Sequence, residues 1–177
     1  MLSKVTLVLG GASSGKSDIA EKFVLKSGLP RVYVATAQAF DDEMRAKIKR
    51  HRAARGEAWT TLEAPFDAAG AISGRDSGEI VLLDCATLWL SNVLLADRDV
   101  DAEGARLVSA LADAPCPVVV VSNEVGQGIV PENALSRRFR AAQGQLNRSL
   151  AAEAGTVIGV MAGLPFALKG TLPEGLA

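Results

Sequence analysis

Aromatic side chains are scarce, at 5% of the chain, so any hydrophobic core must be filled by Val, Leu, Ile and Ala. Only two cysteines occur, Cys85 and Cys116, and they lack CxxC spacing. That excludes a disulfide framework and a zinc signature and leaves buried, reduced thiols. Long hydrophobic runs are missing too. No stretch reaches about 18 uninterrupted apolar residues, so no membrane-spanning helix is expected. Met1-Leu2-Ser3-Lys4 leads straight into a short apolar run and then glycines, which is not a cleavable leader, and a cytoplasmic location is expected. An excess of either charge is also lacking. The net charge of −1 gives no general attraction to nucleic acid or an anionic membrane, and neither is expected as a partner. Histidine occurs once, at His51.

What is present describes a packed globular chain. Of 177 residues, 49% are hydrophobic and 22% charged, which suits one domain over residues 1–177. Apolar runs at 5–9, 31–36, 80–83, 118–121 and 156–161 read as buried strands. Helical patterns fill the gaps at 16–26, 42–54, 88–96, 102–112 and about 134–154. Continuous apolar strands alternating with helices predict an α/β fold, a mostly parallel sheet with helices on both faces. Residues 70–79 and 97–101 read as surface connections, and the tail from Gly170 is expected to fray.

The sharpest local signal is Gly10-Gly11-Ala12-Ser13-Ser14-Gly15-Lys16-Ser17, which fits G-x-x-x-x-G-K-[ST] without a mismatch. Small residues let successive backbone N–H groups turn inward around phosphates, and the following helix adds the positive end of its dipole. Lys16 is expected to reach the β- and γ-phosphates of ATP or GTP, and the Ser17 hydroxyl to bind Mg²⁺. The motif follows an apolar strand and opens a helical pattern, the context it requires. A second metal-side carboxylate is expected at the end of a neighbouring apolar strand. Asp84 has that place, although an Asp there also serves as a turn or helix cap.

His51 lies in a basic segment, Lys47-Ile48-Lys49-Arg50-His51-Arg52-Ala53-Ala54-Arg55. A solvated basic helix end accounts for the pattern. So does a nucleophile: neighbouring cations favour neutral imidazole and would bind a polyphosphate, and neutral imidazole attacks phosphorus. Spacing alone leaves both readings open.

Several ordered motifs together go further. Beside the glycine loop stand Tyr33-Val34-Ala35-Thr36-Ala37, Asp41-Asp42-Glu43-Met44 with Ile48 and His51-Arg52, and Trp59 with Thr61-Leu62-Glu63-Ala64-Pro65. Leu82-Leu83-Asp84-Cys85 follows with Thr87, Leu88, Trp89, Ser91 and Asn92, then the string from Ser122-Asn123-Glu124-Val125-Gly126 through Gln127-Gly128-Ile129-Val130-Pro131-Glu132-Asn133. Arg137, Phe139, Arg140, Gly144, Asn147 and Leu150 continue it. From Val5 to about Lys169 the chain resembles the bifunctional adenosylcobinamide kinase/adenosylcobinamide-phosphate guanylyltransferase family of cobalamin biosynthesis. The resemblance implies a P-loop NTPase-type, RecA-like sheet and a homotrimer. It implies two reactions: phosphorylation of adenosylcobinamide by ATP or GTP, then transfer of GMP from GTP, through a guanylyl-histidine, to adenosylcobinamide phosphate.

By the same resemblance His51 falls at the guanylylated histidine. Ala35, Thr36 and Ala37 match a nucleotide-contacting strand end, and Arg52, Ala53, Ala54 and Arg55 match the nucleotide-contacting segment after the nucleophile. Glu63 matches a carboxylate suited to guanine, and Asp84 matches an acidic position that is Glu in some relatives. Asn123 and Glu124 are expected at a strand's C-terminal edge, where such sheets bind ligands, or as caps of the glycine loop that follows. Ala141 and Arg148 depart from the Asp and Gln common at those places. Two other function classes compete: a kinase of another small molecule with His51 as surface decoration, and a nucleotide-dependent regulatory module.

Overall fold

The computed structural model describes residues 3–38, 42, 45, 46, 56, 58–173, 175 and 176. Its frame is a seven-stranded sheet of β1 (Val5–Gly10), β2 (Arg31–Ala35), β3 (Trp59–Glu63), β4 (Ile80–Asp84), β5 (Val118–Asn123), β6 (Thr156–Met161) and β7 (Leu164–Lys169). The order is β3-β2-β4-β5-β1-β6-β7, and every pairing is parallel except β6 with β7. The described helices are α1 (Lys16–Lys26), α2 (Ala68–Ser73), α3 (Ala86–Leu95), α4 (Val100–Ala112) and α5 (Ala134–Glu153).

Strand alternation sorts the core into two layers. On one face Val8, Leu82, Val119, Val121 and Ile158 pack with Ile19, Phe23 and Val24 of α1. On the other, Leu7, Val34, Leu83 and Val120 pack with Ile72, Trp89, Leu107, Leu146 and Leu150 from the remaining helices. No described helix is long and apolar enough to cross a membrane.

Four sequence expectations change. Trp59–Glu63 is a strand, β3, pairing in parallel with β2 at the sheet edge. Leu164–Lys169 is β7, turned back on β6 by Ala162 and Gly163, whose φ angles of 52° and 77° match the twist of a two-residue hairpin. The connection expected over 70–79 begins inside α2, because Asp67 caps that helix through the Gly70 N–H at 3.0 Å. The tail does not fray throughout: Leu176 is buried with the α1 layer, and Lys26 Nζ donates to the Gly175 carbonyl. Of the helix expected over 42–54, Asp42, Arg45 and Ala46 are described and helical. His51, Arg52, Ala53, Ala54 and Arg55 lie outside the described residues.

Candidate functional site

The glycine loop leaves the C-terminal end of β1, in the middle of the sheet. Its conformation explains its composition. Gly15 has φ of 90°, a left-handed geometry that a Cβ disfavours, and a Cβ there would sit 3.2 Å from Gly163 Cα. Gly10 is closer packed still, since a Cβ would lie 2.7 Å from the Val160 carbonyl oxygen. The hairpin turn braces the loop from outside, with the Gly163 N–H donating to the Ser14 carbonyl at 2.9 Å. Lys16 Nζ folds across the loop to the Gly11 carbonyl at 3.0 Å. The Ser14 hydroxyl oxygen is buried without a hydrogen-bond partner. Gly15 offers no side chain to cap α1, and an uncapped helix start is where an anion is favoured. A buried ammonium, an orphan hydroxyl and an uncapped helix start suit an anion.

The neighbouring strand ends complete an edge. From the outside inward, β3 ends in Glu63, β2 in Ala35, β4 in Asp84, β5 in Asn123 and β1 in Gly10. Asp84 is thus two strands from the loop, about 10 Å of sheet width, and Glu63 is four strands away, about 19 Å. Glu63 is exposed, whereas Asp84 is half-buried with Oδ2 accepting from the Tyr33 hydroxyl at 3.0 Å. Ala35 and Ala37 are half-buried and Thr36 is buried. The structure therefore brings Gly10 to Ser17, Asp84 and 35–37 onto one edge and sets Glu63 at its far end.

That edge is pinned by side chains whose purpose the sequence did not disclose. The Thr36 hydroxyl donates to the Cys85 carbonyl at 2.8 Å and accepts from the Cys85 N–H at 2.9 Å. Asn92 Nδ2 donates to the carbonyls of Thr36 and Pro65 at 2.8 and 2.9 Å, tying β2, β3 and α3 together. Trp89 Nε1 holds the Phe66 carbonyl at 2.9 Å. Cys85 is no nucleophile here: burial, then the charge of Asp84, push its thiol up to about 11. Beyond β5, Arg140 donates to the carbonyls of Gly126 and Ile129, and Arg137 to those of Pro131 and Glu132, so the loop after Glu124 is held against α5. Glu124 itself is half-buried, and its carboxylate accepts from the Gly126 N–H, which is the capping role.

The donor set also bears on a cation. Among the described residues no cluster of three or more His, Cys, Asp or Glu could cage a metal. One hydroxyl, Ser17, and one carboxylate, Asp84, fit Mg²⁺, which keeps water and substrate phosphates as most of its ligands.

Comparison with known proteins bears on the fold and the family. The chain is similar to the RadB recombinase at a TM-score of 0.54 and 18% identity, covering 89% of this chain and 74% of that one. A Pyrococcus horikoshii OT3 protein, PH0250, superposes at a TM-score of 0.56 and 10% identity, covering 100% of this chain and 91% of that one. These likenesses show the fold, RecA-like in kind, and nothing finer. Among curated proteins, the bifunctional adenosylcobalamin biosynthesis protein CobP of Pseudomonas aeruginosa is 45% identical over 167 residues, 93% of this chain and 96% of its own length. The bifunctional adenosylcobalamin biosynthesis protein CobU of Escherichia coli K12 is 40% identical over 179 residues, covering 92% and 98%. The profile described as cobinamide kinase / cobinamide phosphate guanyltransferase matches residues 6–168. The chain belongs to the cobinamide kinase / cobinamide phosphate guanyltransferase family.

Proposed function

We propose that both reactions run along this edge and use one phosphate loop. In the first, the γ-phosphoryl of ATP or GTP passes to the hydroxyl of the aminopropanol arm of adenosylcobinamide. In the second, His51 attacks the α-phosphorus of GTP, a P–N bond forms, the α–β bridging bond breaks and pyrophosphate leaves. Adenosylcobinamide phosphate then displaces the histidine and becomes adenosylcobinamide-GDP. The observation that carries this reading is Lys16 closed over a loop whose β1 strand stands two strands from Asp84.

Residue roles follow from charge. Loop amides from Gly10 to Ser17 and the Lys16 ammonium would neutralise the polyphosphate, where the charge of either transition state develops. Ser17 and Asp84 would hold Mg²⁺, which supplies further neutralisation of the phosphates when bound. Ala35, Thr36 and Ala37 would line the nucleotide, and Glu63 would accept from guanine N1 and N2 donors. Arg52 to Arg55 would stabilise the α-phosphate and the departing pyrophosphate. The chain would act as a cytoplasmic homotrimer without nucleic-acid partners.

The test is incubation with Mg²⁺ and α-³²P-labelled GTP, then denaturing electrophoresis, beside His51→Ala and Lys16→Ala. Acid-labile label on the wild type, none on His51→Ala, and retained phosphorylation of adenosylcobinamide by His51→Ala are expected. Lys16→Ala should lose about 10²-fold or more in both reactions. No label on the wild type with GTP binding intact removes the transferase reading. Equal loss of both activities in folded His51→Ala removes the division of labour.

A further inference from the structure

The strand between the phosphate loop and Asp84 ends in a residue that none of the roles above uses. β5 lies between β1 and β4, and Asn123 stands opposite Gly10 in the register. Val119 and Val121 face the α1 layer, and Val118 and Val120 face the other. Ser122 continues toward α5, where its hydroxyl donates to Asn147 Oδ1 at 2.6 Å. Alternation therefore places the Asn123 side chain on the α1 face. Asp84 shares that face, since Leu82 packs in the α1 layer and Tyr33, also of that layer, bonds the Asp84 carboxylate.

The backbone of Asn123 is held on both sides. Its N–H donates to Thr87 Oγ1 at 2.7 Å, its carbonyl accepts from Asn147 Nδ2 at 3.0 Å, and the next N–H, of Glu124, donates to the Gly10 carbonyl at 3.1 Å. Thr87, Ser122, Gln143 and Asn147 form a buried polar bed under this point, with Gln143 Nε2 donating to Asn147 Oδ1 at 2.9 Å. Yet Asn123 Oδ1 is itself buried and has no hydrogen-bond partner. Buried acceptors are rarely left so, and one fixed at a ligand edge points to a ligand that donates.

Polyphosphate oxygens only accept, so they would not satisfy it. Of the reacting groups in the proposed kinase step, the acceptor's alcohol donates an O–H. We propose that Asn123 is a substrate-positioning residue whose Oδ1 accepts the hydrogen bond of the acceptor alcohol and aims its oxygen at the terminal phosphorus. This rests on the kinase reading above. The alcohol oxygen bonds to phosphorus, the bond to the β-bridging oxygen breaks, and the nucleoside diphosphate leaves with that electron pair. The alcohol proton passes to an oxygen of the transferred phosphoryl group, because a neutral amide takes no proton. The guanylylation of His51 involves no alcohol, so the residue serves one reaction of the two.

The experiment compares Asn123→Ala and Asn123→Leu with the wild type in two assays. One is phosphorylation of adenosylcobinamide with kcat and both KM values resolved; the other is His51 labelling by α-³²P-GTP. A kcat for phosphorylation lowered about 10²-fold is expected, the scale for lost alignment of reacting atoms. The KM for nucleotide and the rate of His51 labelling should stay within about twofold. Equal loss of both activities in both variants would mean that Asn123 only supports the fold, and an unchanged kcat would mean that it does not touch the alcohol; either overturns the proposal. A wild type that labels His51 but phosphorylates no alcohol would instead overturn the kinase reading, and this inference with it.

Discussion

Replacing Asn92 by alanine removes two donors from a place water does not reach. Asn92 is 6% exposed, and its Nδ2 serves the carbonyls of Thr36 and Pro65. Each buried carbonyl left unpaired costs about 1–3 kcal/mol. The bond to Thr36 is buried and that to Pro65 partly so, hence a combined loss of about 3 kcal/mol is reasonable. Alanine returns about 0.5 kcal/mol through helix propensity, because Asn92 lies inside α3. The net loss of about 2.5 kcal/mol corresponds to a Tm lowered by roughly 5–10 °C for a chain of this size. Asn92→Asp should be worse than alanine, since a carboxylate would face two carbonyl oxygens. Urea unfolding with a shared m-value, alongside thermal melting, measures both variants. Asn92→Ala within about 0.5 kcal/mol of the wild type, or Asn92→Asp as stable as Asn92→Ala, would refute the reasoning.

Gly15→Ala should lower stability by about 2 kcal/mol, because a Cβ disfavours the left-handed φ of 90° and crowds Gly163 at 3.2 Å. Gly11→Ala, with nothing within 4 Å and no positive φ, should change stability by less than about 0.5 kcal/mol; equal losses in thermal melts would contradict this account of the loop. Cys85 should resist a disulfide reagent at pH 8 in the native protein and react once urea unfolds it. A native Cys85 modified as fast as a free thiol would contradict the burial argument. The same thiol has a folded pKa of about 11 against an ordinary 9.0, so the unfolded chain sheds its proton first as pH rises. The stability it contributes is therefore complete below pH 9 and is lost between pH 9 and about 11, to be read from Tm against pH in the wild type and Cys85→Ala.

The parallel centre of the sheet was legible because four of its strands, β1, β2, β4 and β5, are short apolar runs buried on both faces, and β6 adds a fifth. The two edge strands were not. β3 reads Trp59-Thr60-Thr61-Leu62-Glu63, too polar for a buried strand, and among the described strands it pairs only with β2. β7 contains Pro165, whose missing N–H is a strand-breaking signal unless the strand lies at an edge, where it does lie. Its pairing depends on Ala162 adopting a positive φ, which the residue type does not announce.

The phosphate loop was legible because its constraints fall within eight contiguous residues, and the place of Asp84 at the sheet's edge because it closes an apolar strand. What lay hidden is whatever joins distant segments. Thr36 meets Cys85 across 49 positions and Asn92 meets Thr36 across 56. The sequence does contain half of that information. Asn92 lies in the helix Ala86–Leu95, whose other residues are apolar apart from Thr87 and Ser91, and a buried amide survives there only when its donors are met. The anomaly predicts a polar crosslink but names no partner. The reverse anomaly, a buried acceptor without any protein partner, is invisible in sequence, because Asn123 closes an apolar strand in the way an ordinary capping residue would. Only the geometry separates Asn92, whose amide is spent inside the fold, from Asn123, whose carbonyl oxygen is left over at the edge where the loop and Asp84 converge. Residues of the same type thus differ in what they can do for a substrate, and the distinction lies in which hydrogen-bonding groups the folded protein has already used.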